Sequence, residues 1–198
     1  NPRNLIHSIK KIQKTRNSNF PPYLVCIDQE GGRVSRLKDL ECPDLGPPLH
    51  IEAGSTQSTS LTTISNYAQS LGNRLMHLGI NVNFAPVTDI LSEKKNPIGD
   101  RAFGTCPTNT TLRSAAFLKG LQQSGVFGCL KHFPGQGHAI LDTHYKKTLV
   151  HVSEEKLYKR ELVPFLKLHN QTHMIMLSHC VSPSLCSYEA SRSATLIT

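Results

Sequence analysis

Short apolar runs alternate along this chain with longer segments in which apolar residues recur at helical spacing. The continuous runs predict four β-strands, at residues 23–27, 80–87, 127–131 and 174–178. The helical spacing predicts helices at residues 4–16, 58–78, 108–124 and 153–169, the last with Ser153 as its N-cap. Strands that alternate with helices in this way indicate β/α units around a parallel sheet.

Polar, glycine-rich segments follow the first three strands at their carboxyl ends. They span residues 28–36, 96–104 and 131–144, and His179 follows the fourth strand. Active sites of (β/α)8 barrels and doubly wound sheets are built at this end of the strands. No G-x-G-x-x-G sequence follows a strand, which argues against a dinucleotide-binding fold and favours the (β/α)8 barrel.

The first polar segment combines carboxylates with arginines. Asp28, Glu30, Arg33 and Arg36 stand close together, and Gly31-Gly32 allows a tight turn between them. These side chains either hydrogen-bond a polyhydroxyl substrate or form a structural ion pair that closes the mouth of a barrel. The residue types alone favour neither interpretation.

The second polar segment places Arg101 between two glycines. An arginine in such a loop suits the binding of a planar or polyoxygen group. Alternatively, Arg101 pairs with Asp100 or Asp89. Arg101 and Lys131 are both expected in loops at strand ends, where removing an exposed charge changes folding stability by no more than about 0.5 kcal/mol and mainly weakens substrate binding.

The third polar segment is rich in groups that transfer protons. Asp142 stands two residues before His144, so its carboxylate can orient the imidazole as a general acid/base. A second interpretation is a zinc or iron site formed by His132, His138, Asp142 and His144, although their spacing matches no standard metal signature. A third is a polar loop that contains these histidines incidentally.

Composition narrows the classes of protein further. The 198 residues suit one domain, and the formal net charge is +8, but the lysines and arginines are spread out and no nucleic-acid-binding motif accompanies them. No apolar run approaches the ~18 residues of a membrane span, and no signal peptide is visible. The six cysteines form no C-x-x-C pair, so we expect reduced thiols and a cytoplasmic location.

Four sequence motifs occur in a fixed order along the chain. They are Ile27-Asp28-Gln29-Glu30-Gly31-Gly32-Arg33-Val34-Ser35-Arg36, Asn83-Phe84-Ala85-Pro86-Val87-Thr88-Asp89-Ile90, Ile98-Gly99-Asp100-Arg101-Ala102-Phe103-Gly104 and Lys131-His132-Phe133-Pro134-Gly135. Together they resemble glycoside hydrolase family 3, in its β-N-acetylglucosaminidase branch. The resemblance covers nearly the whole chain. It implies a (β/α)8 barrel that removes terminal β-N-acetylglucosamine with retention, typically from peptidoglycan fragments in cell-wall recycling.

The same resemblance implies roles for individual residues. Substrate contacts fall on Asp28, Arg36, Arg101, Lys131 and His132. An Asp-His dyad falls on Asp142 and His144, with His144 as the acid/base. The partner is then an N-acetylglucosamine-containing carbohydrate, and no metal or organic cofactor is required.

The chain also departs from the family pattern. Gln136 replaces a histidine in the Pro-Gly-His-Gly turn, and Thr143 replaces a serine within the dyad. The family nucleophile is an aspartate after a later strand, which we expect beyond Thr198. We therefore expect residues 1–198 to be the central part of a single barrel domain that is incomplete at both ends. Alone, these residues should aggregate or depend on a partner, and they should not hydrolyse N-acetylglucosaminides. The alternatives are an inactive sugar-binding barrel and a metal-dependent hydrolase.

Overall fold

The computed structural model describes residues 2–40, 42–52, 57–92, 96–139 and 150–184. Within these ranges the α-helices are α1 (Pro2–Lys14), α2 (Gln57–Leu78), α3 (Pro107–Gln123), α4 (Glu154–Lys156) and α5 (Val163–Leu168). The strands are β1 (Cys26–Ile27), β2 (Val82–Asn83), β3 (Phe127–Phe133) and β4 (Met174–Leu177). A π-helical turn spans Leu157–Glu161, and short 3-10 helices span Lys38–Leu40, Pro48–Glu52, Gly99–Arg101 and His169–Gln171. Asp142 and His144 lie outside the described residues.

The four strands form one parallel sheet in the order β1-β2-β3-β4. Cys26 pairs with Val82, Val82 with Phe127, and Cys129 with Met174. Because every pair is parallel, the carboxyl ends of all four strands lie at the same edge of the sheet. This confirms the predicted α/β fold with a parallel sheet, whereas closure into a (β/α)8 barrel stays a prediction.

The predicted helix at 153–169 is interrupted. Ser153 caps its start as predicted, since its hydroxyl accepts a hydrogen bond from the Lys156 amide at 3.3 Å. Pro164 has no amide hydrogen to donate to the carbonyl of Arg160, so regular α-helical bonding cannot continue through it. The amide of Leu162 instead donates to the carbonyl of Leu157 at 2.9 Å, which widens the preceding turn and separates α4 from α5.

Helices α2 and α3 pack against each other and cover one face of the sheet. Their contact is close because α3 has a glycine at the crossing: a Cβ on Gly120 would lie 2.2 Å from the carbonyl oxygen of Ser65. The fully buried side chains between the two helices include Ile64, Leu71, Leu75, Phe117 and Leu121. This core holds the helix side of the sheet in place.

Side chains of β3 alternate between the two faces of the sheet. Leu130 packs with Leu118 and Phe165 on the helix side. Lys131 therefore points to the opposite face, where it meets the segment that follows β1. Within the ranges described, no helix has both the length and the apolar character of a membrane span.

Candidate active site

The segment after β1 forms a tight turn that presents its carboxylates to the edge of the sheet. The Glu30 amide donates to the carbonyl of Val34 at 2.9 Å, and Gly31 takes the positive φ of +106° that this turn requires. The buried Gln29 side chain accepts hydrogen bonds from the backbone amides of Arg36, at 2.7 Å, and Leu37, at 3.2 Å. The turn is thereby rigid, and Arg36 starts from a fixed backbone position.

Glu30 is held between two cations. Its carboxylate accepts hydrogen bonds from Arg101 Nε at 2.7 Å and from the guanidinium Nη2 at 2.9 Å. Lys131 Nζ lies 2.6 Å from Glu30 Oε1 and also 2.6 Å from Asp28 Oδ1. The side chains of Lys131 and Glu30 are each only 2% exposed, whereas that of Asp28 is 44% exposed. Asp28 is therefore the carboxylate of this group that solvent or a ligand can reach.

Burial by itself raises the pKa of Glu30, since it penalises the charged form. Hydrogen bonds and attraction from Arg101 and Lys131 outweigh that penalty and leave the pKa of Glu30 below its usual range. Glu30 consequently remains a carboxylate, and its charge keeps the side chains of Arg101 and Lys131 in place.

His132 is held by a buried aspartate that follows β2. Its Nδ1 lies 2.6 Å from Asp89 Oδ2, and Asp89 Oδ1 accepts the amide hydrogen of Gln136 at 2.6 Å. An ionised carboxylate only accepts hydrogen bonds, so Nδ1 carries the proton and Nε2 is left for a ligand. Asp89 thereby fixes the orientation of the His132 ring and the tautomer of its neutral form.

These side chains line one pocket of about 400 Å³ at the carboxyl ends of the strands. The five residues predicted to bind substrate all belong to its lining: Asp28, Arg36, Arg101, Lys131 and His132. Glu30, Arg33, Gln136 and His179 line it as well. The structure thus brings together residues from all three polar segments and from the end of β4, and the pocket carries more cationic than anionic groups.

One of the two alternatives left open for Arg101 and one expectation about Lys131 are wrong. Arg101 does not pair with Asp100 or Asp89 but with Glu30, while Asp100 pairs with Arg33 at 3.2 Å. Lys131 is not an exposed loop residue, because β3 continues through it to Phe133 and its side chain is buried. The spacing of the motifs also does not identify Asp89 as the partner of His132. Its position at the end of the second motif was the available signal.

The suggested metal site has no support among the described residues, where no three His, Cys, Asp or Glu side chains converge to hold a metal ion. His132 bonds to Asp89, whereas His138 lies 3.2 Å from Glu161 Oε1 in a separate group. The five cysteines in the described ranges, Cys26, Cys42, Cys106, Cys129 and Cys180, are free thiols.

Comparison with known proteins gives consistent relatives. The chain is 35% identical over 184 residues to β-hexosaminidase A of Pseudoalteromonas piscicida. The matched region covers 91% of this chain and 30% of that protein. It is 35% identical over 170 residues to β-hexosaminidase LpqI of Mycobacterium tuberculosis, covering 85% of this chain and 42% of that one. The chain therefore spans less than half the length of these two curated relatives.

The fold is similar to that of NagZ from Neisseria gonorrhoeae, solved in complex with N-trifluoroacetyl-D-glucosamine. The TM-score is 0.85 at 27% identity, and the match covers 98% of this chain and 55% of that one. The family model for the glycosyl hydrolase family 3 N-terminal domain matches residues 2–198. With its motifs, its sheet and its pocket all in agreement, the chain belongs to glycoside hydrolase family 3.

Proposed function

We propose that the protein is a retaining exo-glycosidase that removes terminal β-N-acetylglucosamine from glycans such as peptidoglycan fragments. The observation that carries the proposal is the pocket, in which an accessible carboxylate, Asp28, meets the anchored donors Arg101 and Lys131 and the imidazole of His132. Carboxylates accept hydrogen bonds from sugar hydroxyls, and cations donate to hydroxyl and acetamido oxygens. The relatives named β-hexosaminidases and the N-acylglucosamine bound in NagZ support the same sugar class.

The pocket residues act by holding the sugar in position. Lys131 and Arg101 are locked by Glu30, so little side-chain freedom is lost when they bond a ligand. Fixed donors and acceptors of this kind orient the glycosidic bond for reaction. We assign general acid/base catalysis to His144, oriented by Asp142, on the strength of their spacing and of the family resemblance. In a retaining reaction this group first protonates the leaving oxygen and then activates water.

Hydrolysis of 4-nitrophenyl N-acetyl-β-D-glucosaminide by the full-length protein, which is the enzyme used in every kinetic test, tests the function, with the corresponding β-D-glucoside as the comparison. We expect the N-acetylglucosaminide to be cleaved and the glucoside to be a poor substrate. NMR of the freshly released sugar should show the β-anomer first. Activity should survive dialysis against EDTA. Initial release of the α-anomer contradicts retention, metal-restored activity supports the metal-dependent hydrolase, and binding without turnover supports the inactive sugar-binding barrel.

We further propose that the substrates are peptidoglycan fragments and that the enzyme works in cytoplasmic cell-wall recycling. Arg36 supports the substrate class: it is exposed at the pocket, and within the described residues it makes no ion pair, unlike Arg33, Arg101 and Lys131. Peptidoglycan fragments carry carboxylates that such a guanidinium can bind. The free cysteines fit a reducing compartment.

Replacement of Arg36 tests that assignment. Arg36→Ala should raise KM for a muropeptide about tenfold or more, because a hydrogen bond to a charged group contributes about 1.5–3 kcal/mol. KM for an uncharged aryl N-acetylglucosaminide should change less. Lys38→Ala removes an exposed charge outside the pocket and serves as the control. An equal change in KM for both substrates argues against recognition of the carboxylate.

Replacement of Asp89 tests the orientation of His132. In Asp89→Asn the amide group can donate to Nδ1, which moves the imidazole proton to Nε2 and turns the pocket-facing acceptor into a donor. We expect kcat/KM to fall about tenfold or more, the equivalent of one charge-assisted hydrogen bond. Nitrogen-15 NMR of the histidine ring reports the tautomer directly. An unchanged tautomer together with unchanged kcat/KM contradicts the assignment.

A further inference from the structure

A second polar cluster lies beside the pocket without lining it. His138 Nε2 is 3.0 Å from Ser92 Oγ, 3.2 Å from Glu161 Oε1 and 3.2 Å from a guanidinium nitrogen of Arg160. Arg160 also bonds to Glu161 and donates to the carbonyl of Leu91 at 3.3 Å. An arginine only donates and a carboxylate only accepts, so His138 is held whether its Nε2 is protonated or not.

Glu161 is a buried carboxylate whose hydrogen bonds involve one of its two oxygens among the described residues. Its side chain is 1% exposed, and its Oε2 atom has no hydrogen-bond partner among the described residues. Burial raises the pKa of Glu161, and the positive charge of Arg160 offsets only part of that increase. An apolar side chain is a common and stable occupant of such a position. The carboxylate therefore suggests a role other than stabilising the fold.

The turn that carries His138 is fixed from two sides. On its backbone side, Asn96 Nδ2 donates to the carbonyls of Gln136 at 2.8 Å and Ala139 at 2.7 Å. Gly137 packs so tightly that an added Cβ would lie 1.7 Å from the carbonyl oxygen of Ile90. On the other side, Glu161 and Arg160 hold the His138 side chain. The turn has little freedom to shift while both sets of contacts are present.

The helical turn that carries Glu161 also packs with the two described residues that flank positions 140–149. Ala139 and Val150, the residues on either side of this segment, are buried in one apolar cluster with Leu157 and Leu162. Leu157 and Glu161 belong to the same π-helical turn. Ala139 and Val150, which precede and follow the positions of Asp142 and His144 in the sequence, are therefore both held in a cluster that this turn helps to form.

We propose that Glu161 is a positioning residue for the acid/base: through His138 and Arg160 it fixes the chain where it enters the segment of Asp142 and His144. This inference rests on the proposed function, because it assigns proton transfer to His144. Glu161 does not line the pocket. Its loss should affect the step that needs an acid and leave binding of the sugar intact.

The test compares two substrates that differ in their need for acid. The disaccharide N,N′-diacetylchitobiose has a poor leaving group, whereas 2,4-dinitrophenyl N-acetyl-β-D-glucosaminide needs little protonation. In Glu161→Ala and in His138→Ala, kcat/KM for the disaccharide should fall at least tenfold more than kcat/KM for the aryl glycoside. Glu161→Gln keeps an acceptor oxygen for its neighbours and should restore most of the loss. In a His144→Ala background, Glu161→Ala should cause no further selective loss.

The ratio of the two kcat/KM values is unaffected by the fraction of folded protein, so poor folding cannot imitate the expected result. Glu155→Ala removes an exposed carboxylate nearby and should leave the ratio unchanged. Equal losses on both substrates in Glu161→Ala and His138→Ala overturn the positioning role, while wild-type hydrolysis leaves the proposed function intact. A wild-type protein that cleaves neither substrate, or a His144→Ala variant that loses both equally, overturns the acid/base assignment and this inference with it.

Discussion

Lys131→Ala should lower the free energy of unfolding by about 3 kcal/mol and remove nearly all hydrolytic activity. The Lys131 ammonium group lies 2.6 Å from carboxylate oxygens of both Asp28 and Glu30. Without it, Arg101 is the one counter-charge left to the buried Glu30 carboxylate among the described residues. Breaking a buried pair by removing one partner is strongly destabilising. Urea unfolding measures the stability, and the aryl glycoside assay measures the activity.

Lys159→Ala is the matched control for this loss. Lys159 pairs with Glu155 at 2.7 Å, but both side chains are 75% exposed, so solvent screens the interaction. Its removal should change the free energy of unfolding by no more than about 0.5–1 kcal/mol and leave activity unchanged. If Lys131→Ala unfolds at the same urea concentration as the wild-type protein, the charges around Glu30 are solvated and contribute little to the fold.

The surroundings of Lys131 follow only in part from the sequence pattern. The alternation of apolar runs and helical segments predicts the parallel sheet, and a parallel sheet places all carboxyl ends at one edge. That reasoning brings Asp28, Arg101 and Lys131 to one pocket, as the structure has them. It does not say that Glu30 lies between the two cations, because Glu30 and Arg101 are 71 positions apart.

The pattern of apolar residues also does not predict where the strands begin and end. Strands of five and eight residues were predicted for β1 and β2, but only two residues of each pair regularly. Past Asn83 the hydrogen bonds continue irregularly: Cys129 donates to Ala85, and Thr88 donates to Lys131. Pro86 cannot donate at all, which interrupts the ladder although the apolar run continues. In β3 the pattern errs in the opposite direction, since the strand continues past its predicted end at Lys131 through polar His132 to Phe133.

The largest effect on catalysis is expected from His144→Ala. General acid catalysis contributes about 10²- to 10⁴-fold, so kcat/KM for N,N′-diacetylchitobiose should fall by a factor in that range. For 2,4-dinitrophenyl N-acetyl-β-D-glucosaminide, whose leaving group departs as an anion, kcat/KM should fall by less than about tenfold. kcat/KM is the appropriate measure because it reports the first covalent step, where the leaving oxygen takes the proton.

His132→Ala provides the decisive comparison, because His132 is the imidazole that the structure shows beside a buried carboxylate. Its Nδ1 lies 2.6 Å from Asp89 Oδ2, an arrangement that could equally prepare a histidine for proton transfer. If His132 binds the sugar, its removal weakens the reaction of both substrates by similar factors, since both carry the same N-acetylglucosamine. If only disaccharide cleavage fails in His132→Ala, while His144→Ala affects both substrates equally, the acid/base is the Asp89–His132 pair and the assignment to Asp142 and His144 is wrong.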